Sequence, residues 1–191
     1  MSTERILVHE SVKDAFGQQL VATAKAMYGQ EGQEAPILIN EAAVVKNKAL
    51  VDDAVSKGAT VLFGDAKAAE GDKTRMRPIV VSGVEPSMNM YKTESFGPTV
   101  SIISFTSEDD AIAIANDTEY GLAAAVFSKD LRRALAVAKK IETGAVHINW
   151  MTPHDEAALP HGGAKASGYG RFGGGFDEWT RTKAITFDSH L

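Results

Sequence analysis

Histidine and carboxylate gather at one place in the chain. His154, Asp155, Glu156 and His161 fall within eight residues. Such a set could ligate a metal or exchange protons, but its spacing matches no helical metal pair and no thiolate accompanies it. Pocket lining or plain exposure is the alternative reading, and no metal site is expected. Ser167 cannot serve as a serine-hydrolase nucleophile, because Lys165 occupies the position where the G-x-S-x-G elbow requires its first glycine. Gly168-Tyr169-Gly170-Arg171-Phe172-Gly173 spells G-x-G-x-x-G, yet no strand leads directly into it and too little chain follows for a βαβ unit. Gly71-Asp72-Lys73-Thr74 resembles a phosphate loop only until Asp72 separates the glycine from the lysine. A fifth segment, Glu94-Ser95-Phe96-Gly97-Pro98, reads on its own as a turn ahead of a strand.

The bulk composition excludes other chemistries. The 191 residues contain no cysteine, so disulfides, zinc-thiolate sites and thiol catalysis within them are excluded. The net charge of −5 gives no basic footprint for nucleic acid. No apolar run approaches the roughly 20 residues that span a bilayer, and Glu4, Arg5 and His9 interrupt any N-terminal signal segment. The expectation is a cytoplasmic protein that binds neither nucleic acid nor membrane.

Short β-branched runs alternate with helical patterns, which predicts an α/β fold with a mostly parallel sheet. Strands are expected near Ile6, Val61, Val80, Ile102, Ala124 and Val146. Leu122–Phe127 is expected to be buried, and a last strand to run over 182–187. Ser11 is expected to cap a helix whose buried face carries Val12, Phe16, Leu20, Ala24 and Met27. Asn40 should cap a helix ending before Gly58, and Asp130 another that carries Leu131, Leu135, Ala138 and Ile141. The stretch 150–175, rich in glycine, proline and histidine, reads as one long functional loop.

Three segments then act together. The opening Met1-Ser2-Thr3-Glu4-Arg5-Ile6-Leu7-Val8, the pentapeptide 94–98, and Pro160-His161-Gly162-Gly163-Ala164-Lys165-Ala166-Ser167-Gly168 resemble, in order and spacing, the C-terminal part of the NAD(P)-dependent aldehyde dehydrogenases. Asn116–Leu122 and Gly144–Asn149 look like further segments of that family. Thr152-Pro153-His154-Asp155-Glu156, followed by 169–174, is especially similar to the salicylaldehyde and vanillin dehydrogenase branch.

The resemblance implies a three-layer catalytic-domain segment over residues 1–178 and an oligomerisation strand over 179–191 that pairs with a second copy. It implies that Glu94 binds the nicotinamide-side ribose hydroxyls and that Phe96 packs near the nicotinamide. A carboxylate suits two vicinal hydroxyls, and an aromatic edge suits the ring. Met151, Thr152, His154 and His161 become candidate walls of the tunnel for a small, aromatic aldehyde. His161 stands where the family usually has Phe, which replaces an apolar wall by a titratable one.

In the family the catalytic cysteine, the general base and the Rossmann domain all precede the point that corresponds to Met1. The resemblance therefore implies an aldehyde dehydrogenase segment that is inactive by itself, with no catalytic residue of its own and no NAD or NADP held firmly. The alternative is a non-catalytic module that pairs with an aldehyde dehydrogenase subunit.

Overall fold

The computed structural model describes residues 3–30, 32–154, 162–168 and 180–188. The chain divides into two units, Ser2–Ser107 and Glu108–Leu191. It is mixed α/β with parallel strand pairs in both units.

The first unit runs β1 (Arg5–His9), a 3-10 turn (Glu10–Val12), α1 (Lys13–Tyr28), α2 (Glu41–Ser56), β2 (Thr60–Phe63), β3 (Ile79–Ser82), α3 (Asn89–Lys92) and β4 (Thr99–Phe105). Its sheet has the order β1-β4-β3-β2. The β1–β4 and β4–β3 pairs are parallel, and β2 is added antiparallel with a bulge between Val61 and Phe63. Val8, Val80 and Ile102 form the core of this sheet, with Ile6, Leu20, Phe63 and Val100 packed against them. The inner strand β3 is a continuous apolar run, Ile79-Val80-Val81, with all three residues buried, as strands covered on both faces are.

α2 follows its sequence signals closely. The Asn40 side chain accepts from the Ala43 N–H at 2.9 Å, and Gly58 leaves the helix at φ 104°. Val44, Asn47, Leu50, Val51 and Ala54 are buried along one face. α1 departs from expectation at its start and on its face. Ser11 lies inside the 3-10 turn and does not cap α1; the Ser11 N–H instead donates to the His9 ring. The buried residues of the helix are Gly17 and Ala24, with Leu20 against the core, whereas Val12, Phe16 and Met27 are exposed. Leu20 and Ala24 hold their expected inward places, while Gly17 rather than Phe16 is buried beside them.

The second unit runs α4 (Glu108–Asn116), β5 (Tyr120–Gly121), β6 (Ala123–Val126), α5 (Leu131–Lys140), β7 (Ala145–Ile148), β8 (Ala164–Lys165) and β9 (Ala184–Phe187). The order β6-β7-β9 makes a parallel three-stranded sheet, and β5 pairs antiparallel with β8. The core is Ala138, Ile141 and Val146, with Ala124, Val126 and Ile185 among the side chains packed on it. Asp130 caps α5 as its sequence suggests, accepting from the Arg133 N–H at 3.1 Å.

The expected burial of 122–127 does not hold. Every residue of β6 is half-buried and Phe127 is exposed, because β6 is an edge strand and β7 takes the centre. The expected last strand forms as β9. In the single chain it lies beside β7, with Ala184 opposite Ala145 and Phe187 opposite Ile148, and Ile185 enters the core. The long loop contains β8, a two-residue strand too short to show in the sequence pattern.

Candidate functional site

The turn that carries Glu94 and Phe96 hangs between α3 and β4, and α2 with its neighbour Lys57 holds both the start of α3 and the turn itself. The Asn89 N–H, at the start of α3, donates to Asp53 Oδ2 at 2.7 Å. Lys57 pairs with Asp53 at 2.8 Å and donates to the Ser87 carbonyl at 2.8 Å. These two donors hold the Asp53 carboxyl below its ordinary range, the Lys57 contact contributing most. Six residues earlier on α2, Asn47 is fully buried. Its Nδ2 donates to the Ala43 carbonyl (2.9 Å) and to the Ser95 carbonyl (3.1 Å), and its Oδ1 accepts from Thr99 Oγ1 (2.7 Å).

Glu4 holds the turn from the other side. The Ser95 N–H donates to Glu4 Oε2 at 3.0 Å and the Phe96 N–H donates to Oε1 at 3.1 Å. Two successive N–H groups thus converge on one carboxylate, and Phe96 itself stands in the left-handed region at φ 50°. The Phe96 ring is 71% exposed while Ser95 beside it is buried.

The Glu94 carboxyl titrates above its ordinary value. Partial burial is the main cause, the like charge of Glu4 adds to it, and Lys46 opposes it. No hydrogen-bond donor contributes to this balance among the described residues. The turn thus offers a carboxylate with free acceptor capacity next to an apolar ring held outward. Two hydroxyls and a flat heterocycle fit that pair, so the residues suit the ribose and nicotinamide of a dinucleotide.

The tunnel candidates belong to the second unit. Asn149, at φ 57°, ends β7. Its side chain accepts from the Ser128 N–H (2.8 Å) and donates to the Ser128 carbonyl (2.9 Å), which aims the chain into 150–154. Met151 is exposed, and Thr152 and His154 are half-buried. The His154 ring packs edge-on against His147 (5.4 Å between centroids) and Trp150 (5.9 Å). His147 is buried in β7 and its Nδ1 lies 2.6 Å from Thr186 Oγ1 of β9. His161, with Asp155 and Glu156, lies outside the described residues, as does all but Gly168 of the G-x-G-x-x-G string. Among the described residues no three metal-ligating side chains gather, and no helix is long and apolar enough to cross a membrane.

The Gly162–Gly168 stretch has a structural task. Lys165, at φ 54°, donates to the carbonyls of Asn116 (2.6 Å) and Thr118 (3.1 Å), and the Gly121 N–H donates to Ser167 Oγ at 2.9 Å. A Cβ on Gly144 would lie 1.7 Å from the Gly162 carbonyl oxygen, so only glycine permits this approach.

Among the described residues, the three non-glycine residues at positive φ are Phe96, Asn149 and Lys165, one in each chemically suggestive segment. Strained backbone gathers at functional sites. Sequence reading missed Glu4 and Asn47. The available signal was an asparagine in the middle of an otherwise apolar helix face.

A polar cleft of about 420 Å³ lies elsewhere in the first unit, lined by Glu34, Glu70, Asp72, Arg75 and Arg77 among others. Its guanidinium groups are already engaged. Arg75 donates to the Ala35 carbonyl and pairs with Glu34, and Arg77 pairs with Glu70 and donates to the carbonyls of Tyr28 and Gln33. They clip the connection after α1 to the start of β3.

The chain is similar over most of its length to several known dehydrogenases. Vanillin dehydrogenase of Pseudomonas fluorescens is 40% identical over 195 residues, covering 99% of this chain and 40% of that protein. Aspartate-semialdehyde dehydrogenase of Halomonas elongata is 41% identical over 189 residues, covering 96% and 38%. Salicylaldehyde dehydrogenase of Pseudomonas putida is 38% identical over 195 residues, covering 98% and 40%. The chain thus spans about two fifths of the length of these curated relatives. The crystal structure of betaine aldehyde dehydrogenase from Staphylococcus aureus in complex with NAD+ superposes with a TM-score of 0.76 at 38% identity, covering 86% of this chain and 34% of that one. Residues 1–185 match the Aldehyde dehydrogenase family, and the chain belongs to it.

Proposed function

We propose that this chain supplies the nicotinamide-side cofactor contact and part of the aldehyde tunnel for an NAD(P)-dependent aldehyde oxidation, and that these 191 residues do not carry out that oxidation alone. The observation that carries the reading is the turn itself. Glu94 presents a carboxylate with open acceptor capacity, and Phe96 presents an exposed ring on a backbone pinned by Glu4 and Asn47. When bound, the nicotinamide supplies the hydride acceptor. Glu94 would accept from the ribose hydroxyls, and Phe96 would cover one edge of the ring. Residues 151–154, beside the rings of His147 and Trp150, would line the aldehyde's path.

An aromatic aldehyde is the preferred substrate class. It rests on the vanillin and salicylaldehyde relatives and on the aromatic cluster at His147, Trp150 and His154. A cytoplasmic setting and a homo-oligomer built through β9 belong to the same reading. The backbone bonds that join β9 to β7 within one chain could equally join β9 of one copy to β7 of another.

The chemical half of the proposal rests on the absent thiol, because family chemistry forms its covalent adduct on cysteine and none is present. Purified chain supplied with vanillin or benzaldehyde and either NAD+ or NADP+ should give no reduced cofactor above the uncatalysed rate, followed by absorbance. Turnover that copurifies with the chain would overturn this. The alternative, a non-catalytic partner of an aldehyde dehydrogenase subunit, is favoured if the chain also fails to contact dinucleotide at residues 94–97.

A further inference from the structure

We propose that Glu4 is a positioning residue for the cofactor turn: its carboxylate clamps two consecutive backbone N–H groups and thereby fixes the peptide planes on both sides of Ser95, from which the exposed Phe96 follows. This rests on the cofactor reading of the turn given above. The geometry is bidentate, with Oε2 taking the Ser95 N–H at 3.0 Å and Oε1 the Phe96 N–H at 3.1 Å. Charge-assisted bonds of this kind are about twice as strong as neutral ones. The clamp is itself anchored, because the Glu4 carbonyl accepts from both the N–H and the Oγ–H of Ser101 on β4, each at 3.0 Å. Glu4 therefore ties the entry to β1, the turn and β4 into one unit.

Phe96 follows at a left-handed φ of 50°, uncommon for a residue with a bulky side chain, and the Gly97 N–H beyond it donates to Ser95 Oγ at 3.3 Å. Asn47 fixes the Ser95 carbonyl on the opposite side, so the Ser95 peptide is held through both its N–H and its C=O. The like charge of Glu4 also raises the titration of Glu94. One residue thus holds the turn and also adds, after burial, to the raised proton affinity of the Glu94 carboxyl. Glutamine cannot replace it, since an amide offers one acceptor oxygen and turns an NH2 toward the second N–H. Aspartate keeps the charge but is one methylene too short to reach both donors.

Nuclear magnetic resonance on the full chain tests this with Glu4→Gln and Glu4→Asp. The readouts are amide exchange at Ser95 and Phe96, the titration of the Glu94 carboxyl, and shifts on adding nicotinamide mononucleotide. Both substitutions should accelerate exchange at Ser95 and Phe96 by about tenfold or more, while Ile102 and Ile103 keep their protection. Glu4→Gln should lower the Glu94 midpoint, and Glu4→Asp should leave it raised. Affinity for nicotinamide mononucleotide should fall in both. Unchanged exchange at 95 and 96 would overturn the clamp, and so would a loss of protection extending equally through β1 and β4, which would mark a merely structural residue. If the unaltered chain shows no shift with nicotinamide mononucleotide, the cofactor reading fails, and the exchange result alone decides whether the clamp stands.

Discussion

Gly97 stands where a Cβ would lie 2.2 Å from Asn47 Nδ2. The turn can therefore approach α2 only because residue 97 has no side chain. Gly97→Ala should destabilise the chain by about 1–3 kcal/mol through overpacking. Asn47→Ala should cost about 3 kcal/mol, since it strips a buried amide from the Ser95 carbonyl and the Thr99 hydroxyl. The two changes share one space, so Gly97→Ala should cost distinctly less in the Asn47→Ala background, and urea unfolding of the four proteins measures the coupling. Additive losses would show that the two residues do not meet. Glu94 gives a pH signature. Its carboxyl is raised mainly by burial, so the charged form is disfavoured in the folded chain. The penalty is absent below the ordinary carboxylate range and complete once the pH exceeds the raised value. Glu94→Gln should therefore melt higher than the parent at neutral pH, with the difference closing as the pH falls through the carboxylate range. A lower melting temperature at pH 7 would contradict this sign. Glu94 and Phe96 were legible in the sequence because they lie together in one pentapeptide. Glu4 and Asn47 were not, because each meets the turn across a long stretch of chain.

At the scale of elements, local chemistry and distant chemistry separate in the same way. The caps at Asn40 and Asp130 are each decided within three residues, and both form as the sequence indicates. The face of α1 depends on how the helix meets the sheet: Leu20 and Ala24 turn inward as the spacing indicates, but Val12, Phe16 and Met27 at its ends stay exposed. The half-burial of β6 depends on strand order, which no single run of residues encodes. The C-terminus of α5 is closed by a residue more than forty positions away. Lys183 Nζ donates to the carbonyls of Ala138 (2.9 Å), Lys139 (3.4 Å) and Ile141. A cation at a helix C-terminus also meets the negative end of its dipole. Lys183→Ala should cost about 1–2 kcal/mol and should speed amide exchange in β9 more than in β6. Equal exchange in the two strands would show that Lys183 does not anchor β9.

For the whole molecule, the sequence pattern indicated α/β architecture with parallel strands, and these occur in both units. The division at residues 107 and 108 was not legible, since it arises from which strands pair and no linker composition marks it. Association follows from the proposed role of β9. The intact chain should form a dimer or larger species at tens of micromolar, a common working range for such contacts, and a version ending at Asp177 should not. Light scattering on both decides it. A monomeric intact chain would remove β9 as an assembly strand, and equal association of both versions would transfer that role to another surface.

We propose residues 94–97 as a preshaped contact for the nicotinamide end of a dinucleotide. The most direct measurement is a resonance titration of the full chain with NAD+, following the Phe96 ring and the amides of 94–97, repeated on Glu94→Ala. Binding should be weak, with a dissociation constant above about 100 μM, and the shifts should concentrate on that turn and be lost in Glu94→Ala. Shifts centred elsewhere, or a response that Glu94→Ala leaves unchanged, would contradict that contact.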